Sequence, residues 1–185
     1  MSNKIRSLFL LDNKITYLNH GSFGACPKPI FNSLIKWQTQ LENQPVQFLA
    51  EDSKELMLNS RKSLADFIHC DVDDVVFFQN PTTAINEIVR SIDIKENDEI
   101  LSTDHEYGAM DRTWNFICNK KGAKYIKSPI TIPVSNRQDF IDQFLSRVTN
   151  KTKIIFLSHI TSSTGLCFPV EEICNFAREN NIFSI

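Results

Sequence analysis

The stretch VVFFQNPTTAINEIVRSI, which runs from Val75 to Ile92, decides how the rest of this sequence is interpreted. It begins with a short apolar run, Val75–Phe78, which is typical of a buried strand. After a polar corner, apolar residues recur at the spacing of one helix face: Ile85, Ile88, Val89 and Ile92. The stretch therefore predicts a buried strand that passes directly into an amphipathic helix.

The same alternation continues on both sides of this stretch. Helical periodicity predicts helices over residues 29–43, 52–68, 106–122 and 137–148, and one that begins at Pro169. Short apolar runs predict strands over residues 98–103, 123–128 and 152–158, and a last one from Ile182. Strands and helices at this spacing predict an α/β fold with an open, mainly parallel sheet and flanking helices. We expect residues 1–50 to form an N-terminal helical arm and residues 51–185 to form the sheet domain.

Composition and charge argue against several classes of protein. The 185 residues carry a net charge of −2 with scattered basic residues, so neither nucleic acid nor an acidic membrane surface is an expected partner. The apolar runs are too short for a membrane helix or for the core of a signal peptide. The five cysteines form no CxxC pair, so reduced thiols are expected rather than a metal site or a disulfide framework. We therefore expect a cytoplasmic protein without a metal.

Polar residues follow three of the predicted strands, at the edge of the sheet where such folds bind ligands. After Phe78 the sequence continues with Asn80, Pro81, Thr82 and Thr83. In one interpretation Asn80 only caps the helix and Pro81 occupies its first turn. In the other, the two threonine hydroxyls and the free N–H groups at the positive helix end bind a phosphate. Both interpretations are open at this point.

The other two strand ends also offer polar and aromatic side chains. TDHEYGAM follows Ser102, and His105 or Tyr107 offers an aromatic face to a flat ligand, although such a histidine is also a common capping residue. SHITSSTG follows Leu157, and most of its residues carry a hydroxyl group or an imidazole. Because parallel strands end at one edge of a sheet, we expect the three corners to form one pocket for a planar, phosphorylated ligand.

Four segments of the chain, taken in order, resemble blocks of class V aminotransferase-like enzymes. They are YLNHGSFGACPKPI, NPTTAINEIVRSI, STDHEYGAM and IIFLSHITSSTGLCFPVEEI. The resemblance covers nearly the whole chain and is closest to isopenicillin N epimerase-like members. These are fold-type I enzymes that use pyridoxal 5′-phosphate (PLP), so the resemblance implies that cofactor and the large domain of that fold.

The resemblance also implies roles for individual residues. Thr82 and Thr83 match the residues that bind the cofactor's phosphate. His105 matches the residue that stacks on its ring, and Ser162 matches the residue that hydrogen-bonds its phenolic oxygen. The segment Asn19–Phe23 resembles the stretch that lines the substrate side, so Asn19 and His20 are candidates there, with a turn or interior role as the alternative. Tyr107 is a further substrate-side candidate and the alternative to His105 as the stacking ring.

The resemblance ends before two residues that relatives carry. After the strand that begins at Ile182, relatives have an aspartate that pairs with the pyridine nitrogen, and then the lysine that forms the Schiff base. We therefore expect the N-terminal part of a PLP-dependent enzyme that acts on an amino acid and is a homodimer when complete. In this chain alone we expect no catalytic residue and weak or absent PLP binding. The alternatives are a non-catalytic remnant that associates with a full-length protomer, a cysteine desulfurase-like lyase fragment, and an unrelated phosphate-binding domain.

Overall fold

The computed structural model describes residues 2–134 and 136–185, and the elements given below belong to that part of the chain. The helices are α1 (Ser2–Arg6), α2 (Lys28–Asn43), α3 (Ser53–Ile68), α4 (Pro81–Ser91), α5 (Gly108–Lys121), α6 (Arg137–Leu145) and α7 (Val170–Glu179). A π-helical segment, Gln47–Asp52, precedes α3, and a 3₁₀ turn, Val72–Asp74, follows it. The strands are β1 (Glu99–Thr103), β2 (Lys124–Ser128), β3 (Thr152–Ile155) and β4 (Phe183–Ser184). Helices and strands alternate from α4 onward, so the predicted α/β fold is confirmed.

The four described strands form one parallel sheet in the order β2–β1–β3–β4. Within it, Ile100 of β1 pairs with Tyr125 of β2 on one side and with Ile154 of β3 on the other. From β1 the chain moves outward to β2, then returns across β1 to β3 and continues to β4 in the opposite direction. The connections therefore diverge between β1 and β3, which is the point where open α/β sheets bind ligands.

Helices cover both faces of this sheet. On one face, Ile100 and Ile154 belong to a buried cluster with Trp114 of α5. On the other face, the next residues along the two strands, Leu101 and Ile155, belong to a second cluster with α6 and α7. Its helical members are Phe140, Ile141, Phe144, Ile173 and Ala177. Alternate strand residues point to opposite faces, and for this reason β1 and β3 have apolar residues at successive positions.

The strand predicted at Val75–Phe78 is wrong. The backbone at Val75 is extended, with φ −99° and ψ 121°, and its side chain is buried. However, the segment pairs with no strand in the described part of the chain, and the side chains of Val76 and Phe77 are 76% and 48% exposed. An apolar run predicts burial, but a strand also needs a neighbouring strand, and local sequence does not reveal whether one is present.

The chain divides into two compact units, Met1–Phe77 and Phe78–Ile185. The first unit contains α1 to α3, and the second contains α4 and the whole sheet. Within the first unit, the Arg61 guanidinium of α3 donates to the backbone oxygen of Val72 at 3.1 Å and pairs with Asp73 at 3.0 Å. These contacts hold the 3₁₀ turn to α3, and the boundary expected after residue 50 lies inside this first unit.

A group of hydrogen-bonded side chains joins β2 to α5. The hydroxyl of Tyr125 donates to Oδ1 of Asp111 over 2.8 Å, and the ammonium of Lys127 pairs with the other oxygen of that carboxylate. Burial is the main cause that raises the pKa of the Tyr125 hydroxyl, and the adjacent carboxylate of Asp111 raises it further. The fold therefore opposes ionisation of this tyrosine.

We expect Tyr125 to stay protonated at a pH where an exposed tyrosine, with a pKa of about 10, has ionised. Because the pKa is raised in the folded state, Tyr125 stabilises the fold fully below the unfolded pKa, and this contribution is lost as the pH rises through the folded pKa. An ultraviolet absorbance titration of Tyr125→Phe checks this, with Tyr107→Phe as the control because Tyr107 is exposed. If Tyr125→Phe removed an early-titrating signal, the expected shift would be wrong.

Phe144 is a sensitive probe of the second buried cluster. It is fully buried, and its ring stacks on Phe140 with 5.8 Å between centroids. We expect Phe144→Ala to lower the free energy of unfolding by about 3–5 kcal/mol, because the substitution leaves a cavity among packed apolar side chains. Urea denaturation followed by circular dichroism measures the loss.

Phe116→Ala is the matched control for this measurement. Phe116 lies on α5 and is 59% exposed, so we expect the same substitution there to cost less than about 1 kcal/mol. Equal losses at positions 116 and 144 would contradict the assignment of Phe144 to the core.

Candidate functional site

The N-terminus of α4 carries the two threonines that the sequence singles out. Asn80 caps this helix, since its Oδ1 accepts the N–H of Thr83 at 2.9 Å, and Pro81 occupies the first turn. Ala84 donates its N–H to the backbone oxygen of Asn80 at 3.2 Å. The capping interpretation is therefore confirmed, and the cap uses the N–H of Thr83.

Capping leaves other donors available at this helix end. Thr82 and Thr83 are half-buried, and within residues 2–134 and 136–185 their hydroxyls and the N–H of Thr82 have no hydrogen-bond partner. The positive end of an 11-residue helix adds a field that favours an anion. One N–H and two hydroxyls are thus available to a phosphate group at this corner.

The corner is joined to α5 through Asn86. The side-chain amide of Asn86 donates to the backbone oxygen of Thr82 at 2.9 Å and to the hydroxyl of Thr113 at 3.1 Å. Thr113 is buried on α5, the helix that begins directly after the loop that follows β1. The threonine corner is therefore fixed to the helix that starts at the candidate ligand edge of the sheet.

His105 connects the loop after β1 (residues 104–107, the β1 loop) to the loop after β3 (residues 156–169, the β3 loop). Its side chain is only 12% exposed, and its Nδ1 lies 3.3 Å from the hydroxyl oxygen of Thr164. Its backbone N–H donates to the hydroxyl of Thr103 at 3.2 Å. The ring is thus held at the point between β1 and β3 where the chain connections diverge.

Glu106 is the residue of this edge that sequence reasoning missed. It is buried, and its Oε1 accepts the N–H of Ser158 at 3.0 Å while its Oε2 accepts the Ser158 hydroxyl at 2.6 Å. The hydroxyl of Thr103 also donates to Oε1, at 3.4 Å. In the sequence, Glu106 is only a carboxylate three residues after a buried strand. An exposed glutamate at a helix start has the same pattern, so the sequence alone does not reveal that Glu106 is buried.

Ser162 and Tyr107 lie in these loops with exposed side chains. Ser162 precedes Thr164 by two residues in the β3 loop, which is closed by bonds between Thr161 and Leu166 at 2.9 and 3.0 Å. Tyr107 is 54% exposed at the start of α5. Ser162 thus lies two residues before Thr164, which contacts His105. The roles of Ser162 and Tyr107 toward a ligand stay predictions.

Asn19 and His20 belong to the first compact unit, where their contacts are local. The backbone oxygen of Asn19 accepts the N–H of Phe23 at 3.0 Å. The ring of His20 packs edge-on against Tyr17 with 4.8 Å between centroids, and its Nδ1 accepts the N–H of Ala25 at 3.4 Å. Both residues thus have a turn role, and their substrate-side role stays a prediction.

A cavity among the described residues lies away from these corners. It measures about 580 Å³ and is bounded by the N-terminal ends of α6 and α7 and by part of the β3 loop, including His159 and Cys167. None of the residues predicted to bind the cofactor lines it. The candidate site is therefore an open edge of the sheet that is defined by its hydrogen bonds.

The described residues provide neither a metal-binding cluster nor a membrane-spanning helix. Within residues 2–134 and 136–185, no cluster of three or more histidine, cysteine, aspartate or glutamate side chains is arranged to hold a metal ion. In the same part of the chain, every helix is too short or too polar to cross a membrane.

A parallel sheet with helices on both faces and with polar loops at its switch point defines a doubly wound α/β protein. The sequence profile of the aminotransferase class-V family matches residues 17–185. The chain belongs to this family.

Curated relatives of two kinds are similar to this chain. It is 27% identical to the isopenicillin N epimerase of Amycolatopsis lactamdurans over 179 residues, which cover 95% of this chain and 44% of the relative. Against the isopenicillin N epimerase of Streptomyces clavuligerus it is 28% identical, with 97% and 45% covered. Against the L-cysteine desulfhydrase of Arabidopsis thaliana it is 24% identical, with 91% and 40% covered. The chain thus spans less than half the length of these relatives.

Solved structures share the fold. A mutant of C-DES with glycine covalently linked to its PLP cofactor superposes with a TM-score of 0.85 at 25% identity, covering 97% of this chain and 47% of that one. The apo cysteine desulfurase of Thermococcus onnurineus NA1 gives a TM-score of 0.83 at 19% identity, covering 98% and 46%. The second likeness supports the fold alone.

The cap of α4 provides a test of the first corner. We expect Asn80→Ala to lower the free energy of unfolding by about 1 kcal/mol, because the N–H of Thr83 loses its acceptor. Asn80→Ser is the matched control, since serine caps helices about as well as asparagine and should leave the stability within about 0.5 kcal/mol. Thermal and urea unfolding measure both variants, and an equal loss in both would show that the Asn80 cap is not the cause.

Proposed function

We propose that this chain forms the part of a PLP-dependent enzyme that binds the cofactor's phosphate group and one face of its pyridine ring, with an amino acid as substrate. One observation carries the proposal: the start of α4 has two half-buried threonine hydroxyls and an N–H group that have no hydrogen-bond partner among the described residues. Membership of the aminotransferase class-V family supports it, as does a related structure that contains PLP linked to glycine.

The threonine corner supplies the phosphate contacts in this proposal. Two charge-assisted hydrogen bonds from Thr82 and Thr83 contribute about 1.5–3 kcal/mol each, and the helix end contributes about 0.3–2 kcal/mol. Stacking on a ring adds about 1 kcal/mol. The lost freedom of the ligand opposes these gains, so we expect binding by this chain alone to be millimolar or weaker.

The β1 and β3 loops supply the ring contacts. We propose that the imidazole of His105, which Thr164 orients, lies against one face of the pyridine ring. Ser162 is then the donor to the phenolic oxygen, from a loop that already contacts His105 through Thr164. Asn19, His20 and Tyr107 are proposed for the substrate side.

When bound, PLP supplies an electron sink for a bond that breaks at the α-carbon of an amino acid. The residues of this chain bind and orient: Thr82 and Thr83 fix the phosphate, and His105 fixes the plane of the ring. We assign no proton transfer to any of them. The chain thus contributes cofactor binding, and complete relatives are proposed to be homodimers.

Within this chemistry we propose an isopenicillin N epimerase-like reaction, which is supported by the identities of 27% and 28% to two such enzymes. A C–S lyase reaction is the second candidate, and two likenesses favour it: the identity of 24% to the L-cysteine desulfhydrase of Arabidopsis thaliana and the TM-score of 0.85 to C-DES, a cystine C–S lyase. A mixture of the chain with PLP is assayed for exchange of the α-proton of amino acids in deuterated water and for sulfide release from L-cysteine. Exchange alone supports the epimerase-like reaction, and sulfide supports the lyase. The absence of both signals would agree with a chain that contributes only cofactor binding, and equally with the non-catalytic alternative, which associates with a full-length protomer.

Thr83→Ala tests the phosphate contact directly. We expect it to weaken PLP binding by about 1–3 kcal/mol, which is roughly a fivefold to 150-fold rise in Kd, because one hydroxyl donor to the phosphate is lost. Equilibrium dialysis or NMR titration of the whole 185-residue chain measures the change.

Two controls separate a phosphate contact from a loss of folding. Pyridoxal without its phosphate should bind Thr83→Ala as it binds the unaltered chain. Thr39→Ala, on the exposed surface of α2, should leave PLP binding unchanged. If Thr83→Ala bound PLP with unaltered affinity, Thr83 would not belong to the phosphate site.

A further inference from the structure

The β1 and β3 loops are joined by a closed circuit of hydrogen bonds. Ser158 donates twice to the carboxylate of Glu106, and the hydroxyl of Thr103 donates to the same carboxylate. The hydroxyl of Thr103 in turn accepts the N–H of His105. The ring of His105 then contacts Thr164, which returns the circuit to the β3 loop.

The buried members of this circuit have few alternative hydrogen-bond partners. Glu106 and Thr103 are buried, so a donor that loses its partner there is not compensated by bulk water. The N–H of Ser158 is the first backbone donor of its loop that reaches across to the β1 loop. Because the two loops flank the switch point, the circuit joins them at the place where the chain connections diverge.

We infer that Glu106 is a positioning residue, which holds the β1 and β3 loops together and thereby sets the orientation of His105 toward the cofactor ring. The inference deepens the proposed function and rests on it for the identity of the ring. Glu106 itself contacts no ligand in this arrangement. It acts through Thr103 and Ser158, whose hydrogen bonds its carboxylate accepts.

The geometry assigns this role to the length and acceptor pattern of the side chain rather than to its negative charge. Glutamine has the same length, and its amide oxygen can accept from Ser158 and Thr103 while its NH₂ group donates to a rotated Ser158 hydroxyl. Aspartate keeps the charge but is one methylene shorter, so it cannot reach both partners. Positioning therefore predicts that glutamine substitutes for Glu106 and that aspartate does not.

Three variants of the 185-residue chain test this, namely Glu106→Gln, Glu106→Asp and Glu106→Ala, with Glu87→Ala on the exposed side of α4 as the control. We expect the Asp and Ala variants to weaken PLP binding roughly fivefold to tenfold, as the loss of a hydrogen bond does. We expect Gln and the control to stay within about twofold. If Glu106→Ala does not fold, the comparison of Asp with Gln decides the question.

A second readout needs no ligand. The ring-nitrogen NMR signals of the chain's 4 histidines are recorded, and His105 is assigned through His105→Gln. We expect its signal to move in the Asp and Ala variants and to keep its position in Gln, while the signals of His20 and His69, which belong to the first compact unit, stay unchanged. This separates the two proposals, since an unaltered PLP affinity of Thr83→Ala would overturn the proposed phosphate site, while the NMR result by itself decides the role of Glu106.

Two results would overturn the inference. If Asp retained the His105 signal and PLP affinity while Gln lost them, Glu106 would act through its charge. If all three variants lowered the free energy of unfolding but left the His105 signal and the PLP affinity of the folded protein unaltered, Glu106 would be only a structural residue.

Discussion

Burial of β1 and β3 on both faces is the constraint on which the rest of the structure depends. Ile100 and Leu101 point to opposite clusters, and Ile154 and Ile155 do the same, so the middle of each strand is apolar. The buried polar side chains of β1, Ser102 and Thr103, lie at its carboxyl end, and further polar side chains follow in the loops. The chain connections diverge at the same place, and this edge therefore combines polar groups with a crevice between neighbouring loops.

The polar groups of the candidate site divide into those that hold the fold and those without a partner among the described residues. Asn80 takes the N–H of Thr83, and Glu106 takes both donors of Ser158. The hydroxyls of Thr82 and Thr83 have no such partner among the described residues. A structural cap and an anion site are thus compatible at one helix start, because they use different donors.

Local sequence predicted the alternation of elements and the cap at Asn80, because periodicity and helix-start signals are short-range properties. It failed at Val75–Phe78, where an extended apolar segment has no neighbouring strand in the described chain. It also missed Glu106, whose main partner, Ser158, is 52 residues away. Such a pairing depends on which strands become neighbours, and no local pattern encodes that.

The two outer strands of the sheet, β2 and β4, differ in how readily a further strand can pair with them. On β2, Lys124 and Lys127 are exposed, and charged lysines on a sheet edge discourage pairing with another chain. β4 instead carries an apolar side chain, Phe183, that is 58% exposed. The lysines of β2 therefore oppose pairing with a further strand, whereas the exposed apolar edge at β4 favours it.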